Sequence, residues 1–314
     1  MESLVFSPKR INEYMQNNLT KITKILDQEF NLQDCPPDMP LHQVFPREYS
    51  KQKFSIQDYV EPKFQEKYMG LMLNNSSDGT FGFVVFCVFF GDEIVKQLRE
   101  QRISKVLVIT HHPMEFESCG AGFILMKESS LQFCRENEIS VYVLHNPLDV
   151  HATIATSQSI ANALDLREQK RFDKFSIGFG GVLGELPEEL LFDDFIEKCK
   201  IIFLQPEIHF EKRFDTVKKI GIIAGGGADV SLMKEALNLG CDTYLSGDYL
   251  NKVQNEYSKK LRQEFEKEAS SLNLNLVECS HYSTESLVFL TEFPAYLENL
   301  GIKSIFIPQS DAWK

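Results

Sequence analysis

Lys105-Val106-Leu107-Val108-Ile109-Thr110-His111-His112-Pro113 is the stretch from which the fold can be read. Its β-branched, apolar run is a strand candidate, and it ends on two imidazoles and a proline. Working outward, the same alternation recurs. Phe81–Phe90 reads as a strand, Glu93–Gln101 as a helix, Gly122–Glu136 as a helix and Val141–Leu144 as a strand. Strands alternating with helices mark an α/β fold. Val141-Tyr142-Val143-Leu144 is apolar throughout, as strands buried in a parallel sheet are.

Downstream the pattern continues. Ile177–Leu183, Thr216–Ala224, Thr243–Leu245, Leu274–Cys279 and Leu300–Ile307 read as strands, with helices at Pro187–Cys199, Val230–Leu239 and Lys252–Ser270. The two stretches match where polar residues close the strands. In the first, Val106–Thr110 leads to His111-His112, and Val141–Leu144 leads to His145-Asn146-Pro147-Leu148-Asp149. In the second, Thr243–Leu245 leads to Ser246-Gly247-Asp248, and Leu274–Cys279 leads to His281-Tyr282-Ser283-Thr284-Glu285. A His-x-x-x-carboxylate spacing thus closes the equivalent strand each time. This predicts two similar α/β halves, a duplicated layered unit, with a dinuclear metal site between the copies.

The expected boundaries are 66–170 for the first half and 171–314 for the second. Residues 1–65 form a lead-in. Within it Ile11, Tyr14, Met15, Leu19, Ile22, Ile25 and Leu26 recur at helical steps, so an amphipathic helix is expected over Pro8–Phe30, with Ser7 as cap. Cys35-Pro36-Pro37 breaks it, and the stretch to about Gln65 reads as extended.

Composition narrows the function. With 314 residues, 43% of them hydrophobic, the chain can bury one large core or two ordinary ones. A formal charge of -12 opposes a nucleic-acid surface. Seven cysteines without CxxC spacing argue against a disulfide frame or a zinc ribbon, and for a reducing compartment. No leader pattern is visible, and the apolar run Phe81–Phe90 is too short to span a bilayer, so a cytoplasmic protein without membrane attachment is expected.

Imidazoles and carboxylates at the ends of buried strands are the raw material of a metal site. Neighbouring residues on a strand point to opposite faces, so His111 and His112 need a turn, supplied by Pro113, before both rings enter one cavity. His281 and Glu285, four apart on a helix capped by Ser280, share a face. Asp149 reads either as a ligand or as a turn or cap residue. His145 either ligates or orients Asp149. Ile222-Ile223-Ala224-Gly225-Gly226-Gly227 closes a strand and reads as a tight strand–helix turn or, less simply, as an anion cradle. Cys119 and Cys279 lie near these motifs but are not counted as ligands.

Taken in order, Gly70-Leu71, Thr110-His111-His112-Pro113, His145-Asn146-Pro147-Leu148-Asp149, Gly225-Gly226-Gly227, Ser246-Gly247-Asp248 and His281-Tyr282-Ser283-Thr284-Glu285 resemble the Nif-three-like (NGG-one-interacting factor three) family, whose members are commonly called GTP cyclohydrolase 1 type 2. The resemblance implies two similar halves, two divalent metal ions per chain (zinc, iron or manganese) and a homohexamer. It carries the ligand roles to His111, His112, Asp149, His281 and Glu285. Ser280 departs from the family's usual glycine, and Asn251-Lys252 from its usual histidines. The implied function is a metal-dependent hydrolase acting on a small molecule such as a nucleotide; the residues themselves offer Glu285, Glu115 and Tyr282 as catalytic candidates and Asp248 as a further polar group. In the GTP reaction, hydroxide attacks the purine imidazole ring and formate leaves. A metal-binding regulatory or assembly protein without turnover is the alternative.

Overall fold

Every residue of the Leu107–His112 strand is buried, and it forms the middle of a five-stranded sheet. The computed structural model describes residues 18–250, 252–268 and 271–313. The sheet order is Gly70–Leu73, Ser140–Val143, Leu107–His112, Val84–Phe89, Ser304–Phe306, with the last four strands parallel and the first antiparallel. Val84–Phe89 and Ser140–Val143 are also buried throughout, which is why these segments carry continuous apolar runs instead of alternation. This sheet belongs to the first of two compact units, made of the described residues up to Met114, Leu125–His145 and Phe289–Gln309. Its core includes an aromatic group in which the Phe86 ring centre lies 5.3 Å from that of Phe289 and 5.0 Å from that of Phe293. Phe293 in turn meets Phe30 at 5.2 Å.

The second unit comprises Glu115–Ile124, Asn146–Val288 and the chain from Ser310. Its six-stranded sheet runs Arg167–Lys174, Phe179–Leu191, Thr216–Gly226, Thr243–Asp248, Asn275–Glu278, His209–Glu211. The three strands from Thr216 to Glu278 in this order are parallel, and the others are antiparallel. Alternate residues feed two cores. Val182, Ile222, Leu245 and Val277 join helices Thr156–Ala163 and Phe192–Phe203 on one face, whereas Leu183, Ile223, Tyr244 and Leu276 join helices Val230–Asn238 and Glu256–Glu268 on the other. Helices therefore cover both sides of a mixed α/β sheet.

Several expectations are corrected. The single helix over Pro8–Phe30 does not pass through Asn18, which is extended (φ -92°, ψ 113°), bridges Thr80 and caps a helix beginning at Leu19. The expected part before Asn18 lies outside the described residues. The lead-in is not extended: it holds helices Met39–Tyr49 and Pro62–Lys67 and a short 3-10 turn at Ile56–Asp58. Prolines near the helix starts mark the first two, as the fixed φ of proline favours. Pro187 does not open a helix; it lies inside the Phe179–Leu191 strand. The strand tolerates it because Arg167–Lys174 pairs only as far as Glu185, and pairing with Thr216–Gly226 is irregular between Glu185 and Leu190. The helix expected over Gly122–Glu136 starts at Glu128, since Phe123–Ile124 pairs with Glu115–Phe116.

Candidate metal site

In the first unit three histidines meet at the carboxyl ends of neighbouring parallel strands. His111 and His112 close Leu107–His112, and His145 follows Ser140–Val143. Their ring centres stand 4.5 Å (His111 and His112), 4.9 Å (His111 and His145) and 4.6 Å (His112 and His145) apart. Each offers a nitrogen within 4.8 Å of the others. Both His111 and His112 lie within the strand, and Pro113 follows directly. Thr110 Oγ1 lies 3.0 Å from both Val88 O and His112 O, which share its single hydrogen, and the adjacent His111 and His112 rings meet at 72°.

The protonation pattern suits metal binding. His111 Nδ1 lies 2.7 Å from Leu144 O, and a carbonyl only accepts, so Nδ1 carries the proton and Nε2 keeps its lone pair. His145 Nδ1 lies against the fully buried Asp38 carboxylate, which imposes the same tautomer. Burial pushes the Asp38 carboxyl up, but the attraction of the His145 ring and the hydrogen bonds from His145 Nδ1 and Leu41 N outweigh burial and hold it below its ordinary value. A buried imidazole whose second nitrogen is tied to a carboxylate or carbonyl is the usual outer support of a metal ligand.

The second unit carries the expected His281–Glu285 pair. Helix His281–Leu290 begins on it, His281 Nε2 stands 2.9 Å from Glu285 Oε1, and both side chains are largely buried, at 14% and 4% exposure. This separates the pair from a solvated helix-surface ion pair. Ser280 caps the helix as expected, accepting from Ser283 N at 3.2 Å. Its φ of +64° explains why a glycine suits this position, and Asp311 anchors the serine there through bonds of 2.7 Å from Ser280 Oγ. The glycine run makes room for the pair. Gly225 has φ +65°, and a Cβ there would stand 2.2 Å from Glu285 Oε1 and 3.1 Å from His281 Nε2. Gly225 N donates to Thr284 Oγ1 at 3.0 Å, so the run serves as a close-packed turn beside the candidate ligands. Trp313 packs on the His281 ring at 4.9 Å and donates from Nε1 to Asp248 Oδ2 at 3.0 Å.

The remaining candidates belong to this same unit. Asp149 ends the short helix Asn146–Asp149, and its Oδ1 accepts from Thr156 Oγ1 at 2.6 Å, so it also braces the start of the next helix. Glu115 is half-buried on the Glu115–Phe116 strand, and Tyr282 is buried in the first turn of its helix. Two residues stand outside the expected set. His145 was visible as a strand-end histidine with its role open, whereas Asp38 fell in the break after the first expected helix and carried no sign of a site; in the structure its side chain also caps Leu41 N at 3.0 Å. All seven cysteines are free thiols, and only Cys119 among them is exposed.

Fold and side chains together define an α/β protein with His and Glu groups that could bind a metal ion. The chain belongs to the Duf34/NIF3 (NGG1p interacting factor 3) family, which it matches over residues 53–312. A Borreliella burgdorferi protein named GTP cyclohydrolase 1 type 2 homolog is 30% identical over 239 residues, 74% of this chain and 88% of its own length. A Haemophilus influenzae protein of the same name is 31% identical over 142 residues, 45% of this chain and only 55% of its own length. Among solved structures, the Bacillus cereus protein related to NIF3 superposes with a TM-score of 0.62 at 13% identity, covering 94% of this chain and 97% of that one. Reduced HcgD from Methanocaldococcus jannaschii gives 0.55 at 22% identity, covering 84% and 95%. At these identities the structures speak for the shared fold. Among the described residues, no helix is long and apolar enough to cross a membrane.

Proposed function

We propose that the protein is a dinuclear-metal-dependent hydrolase, with His111, His112, Asp149, His281 and Glu285 as ligands of two divalent ions. Mixed imidazole and carboxylate donors suit zinc, iron or manganese. The observation that carries this reading is the histidine cluster at the strand ends, His111 and His112 buried and His145 partly so, with the tautomers of His111 and His145 preset by Leu144 O and Asp38. Bound ions would supply Lewis acidity and lower the pKa of water. The chain's own residues do the rest. Leu144 O and Asp38 hold rings in place, and Glu285, Glu115 and Tyr282 are the groups assigned to moving protons. Parallel pairing of Leu107–His112 with Ser140–Val143, and of Thr243–Asp248 with Asn275–Glu278, supports the duplicated unit.

The substrate is a small molecule, and GTP is the first to test because the curated relatives carry the name GTP cyclohydrolase 1 type 2 homolog. We expect metal-loaded protein incubated with GTP to release formate, measured by a coupled formate dehydrogenase assay, and Glu285→Ala to release at least about 100-fold less. Full metal occupancy with no turnover of any nucleotide would instead favour a metal-binding regulatory protein. Hexamer assembly, as in the resembling family, and a cytoplasmic location belong to the same proposal.

A further inference from the structure

Asp38 stands outside the 53–312 stretch that matches the family, yet its side chain is 0% exposed and lies against His145. Its placement is over-determined. Asp38 N donates to Lys67 O at 3.0 Å, and Lys67 Nζ bonds the carbonyls of Leu32, Gln33 and Cys35 at 2.9, 2.7 and 2.8 Å, clasping the loop that leads to Asp38. One carboxylate oxygen caps Leu41 N; the other meets His145 Nδ1. With Nδ1 so engaged, His145 keeps its Nε2 lone pair beside His111 and His112, within 4.8 Å of their nitrogens.

We propose that His145 is a third imidazole ligand of the His111–His112 cluster, and that Asp38 is its positioning residue. The lead-in thereby acquires a function: it contributes the carboxylate that fixes a metal ligand. This inference rests on the metal reading above, but its positioning part is visible without metal.

Asp38→Asn separates the two tasks of the carboxylate. If the asparagine oxygen caps Leu41 N, the amide faces His145 Nδ1 as a donor, which forces the proton to Nε2 and removes the ligand lone pair; if the amide flips, the cap is lost. Long-range 1H–15N NMR of metal-free wild type should show His145 protonated on Nδ1, and Asp38→Asn should move the proton to Nε2. Zinc affinity, measured by competition with a chromogenic chelator, should fall about 10- to 100-fold in the variant with its circular dichroism unchanged. An Nε2-protonated wild type overturns the positioning role, as does an Asp38→Asn protein with unchanged tautomer and affinity. If that variant does not fold, His145→Asn decides, since it keeps an N–H for Asp38 while deleting the imidazole donor. Unchanged zinc affinity there overturns the ligand role. A wild type that binds no zinc fails before any variant is made, and brings down the metal reading and this inference together.

Discussion

Gly225 shows how narrowly the candidate ligands are accommodated. A methyl group at this position must adopt φ +65° and stand 2.2 Å from Glu285 Oε1, so Gly225→Ala pays about 1 kcal/mol in backbone strain and also displaces the carboxylate. We expect this variant to fold but to bind zinc at least about tenfold more weakly in calorimetric titration. Wild-type affinity would mean that Glu285 is not a ligand. At this scale the sequence was partly legible. His281 and Glu285 could be paired because four residues on a helix fix their relation. His145 and Asp38 could not, because 107 residues separate them and only the folded chain brings them together. Asp149 could be placed at a strand exit, but its bond to Thr156 depends on how the next helix starts.

Buried strands were the most legible elements, because a strand covered on both faces announces itself as an apolar run. Phe86 lies in such a strand with 0% exposure, packed on Phe289 and Phe293. Phe86→Ala should lower the unfolding free energy by about 3–5 kcal/mol, read from urea denaturation. Half-exposed strands such as Arg167–Lys174, mostly charged, offered no apolar signal, and Pro187 read as a helix start because its tolerance depends on a pairing irregularity in the neighbouring strand. Glu278, at the end of Asn275–Glu278, gives a pH test at this scale. Burial, with the nearby Asp248 charge, raises its carboxyl from 4.5 to about 7 against the hydrogen bonds from Tyr249 N and Leu250 N. The folded state therefore holds this proton more tightly, and its stabilising contribution is full below about pH 4.5 and lost as the pH rises through about 7. Glu278→Gln should melt higher than wild type at pH 8, with the gain shrinking toward pH 4.5. An equal gain at both pH values would contradict a raised carboxyl.

For the whole molecule, the α/β class was legible from alternation alone, while sheet order was not. Ser304–Phe306 pairs in parallel with Val84–Phe89 across more than half the chain, and parallel neighbours leave no local turn signal in the sequence. The functional proposal also belongs to this scale, because its ligand set is spread along the sequence from His111 to Glu285. The most direct measurement is the transition-metal content of the chain purified without chelators, by elemental analysis beside Glu285→Ala. About two ions per wild-type chain are expected, and fewer in the variant. A folded wild-type protein free of metal, which takes up none when zinc, iron or manganese is supplied, would contradict it.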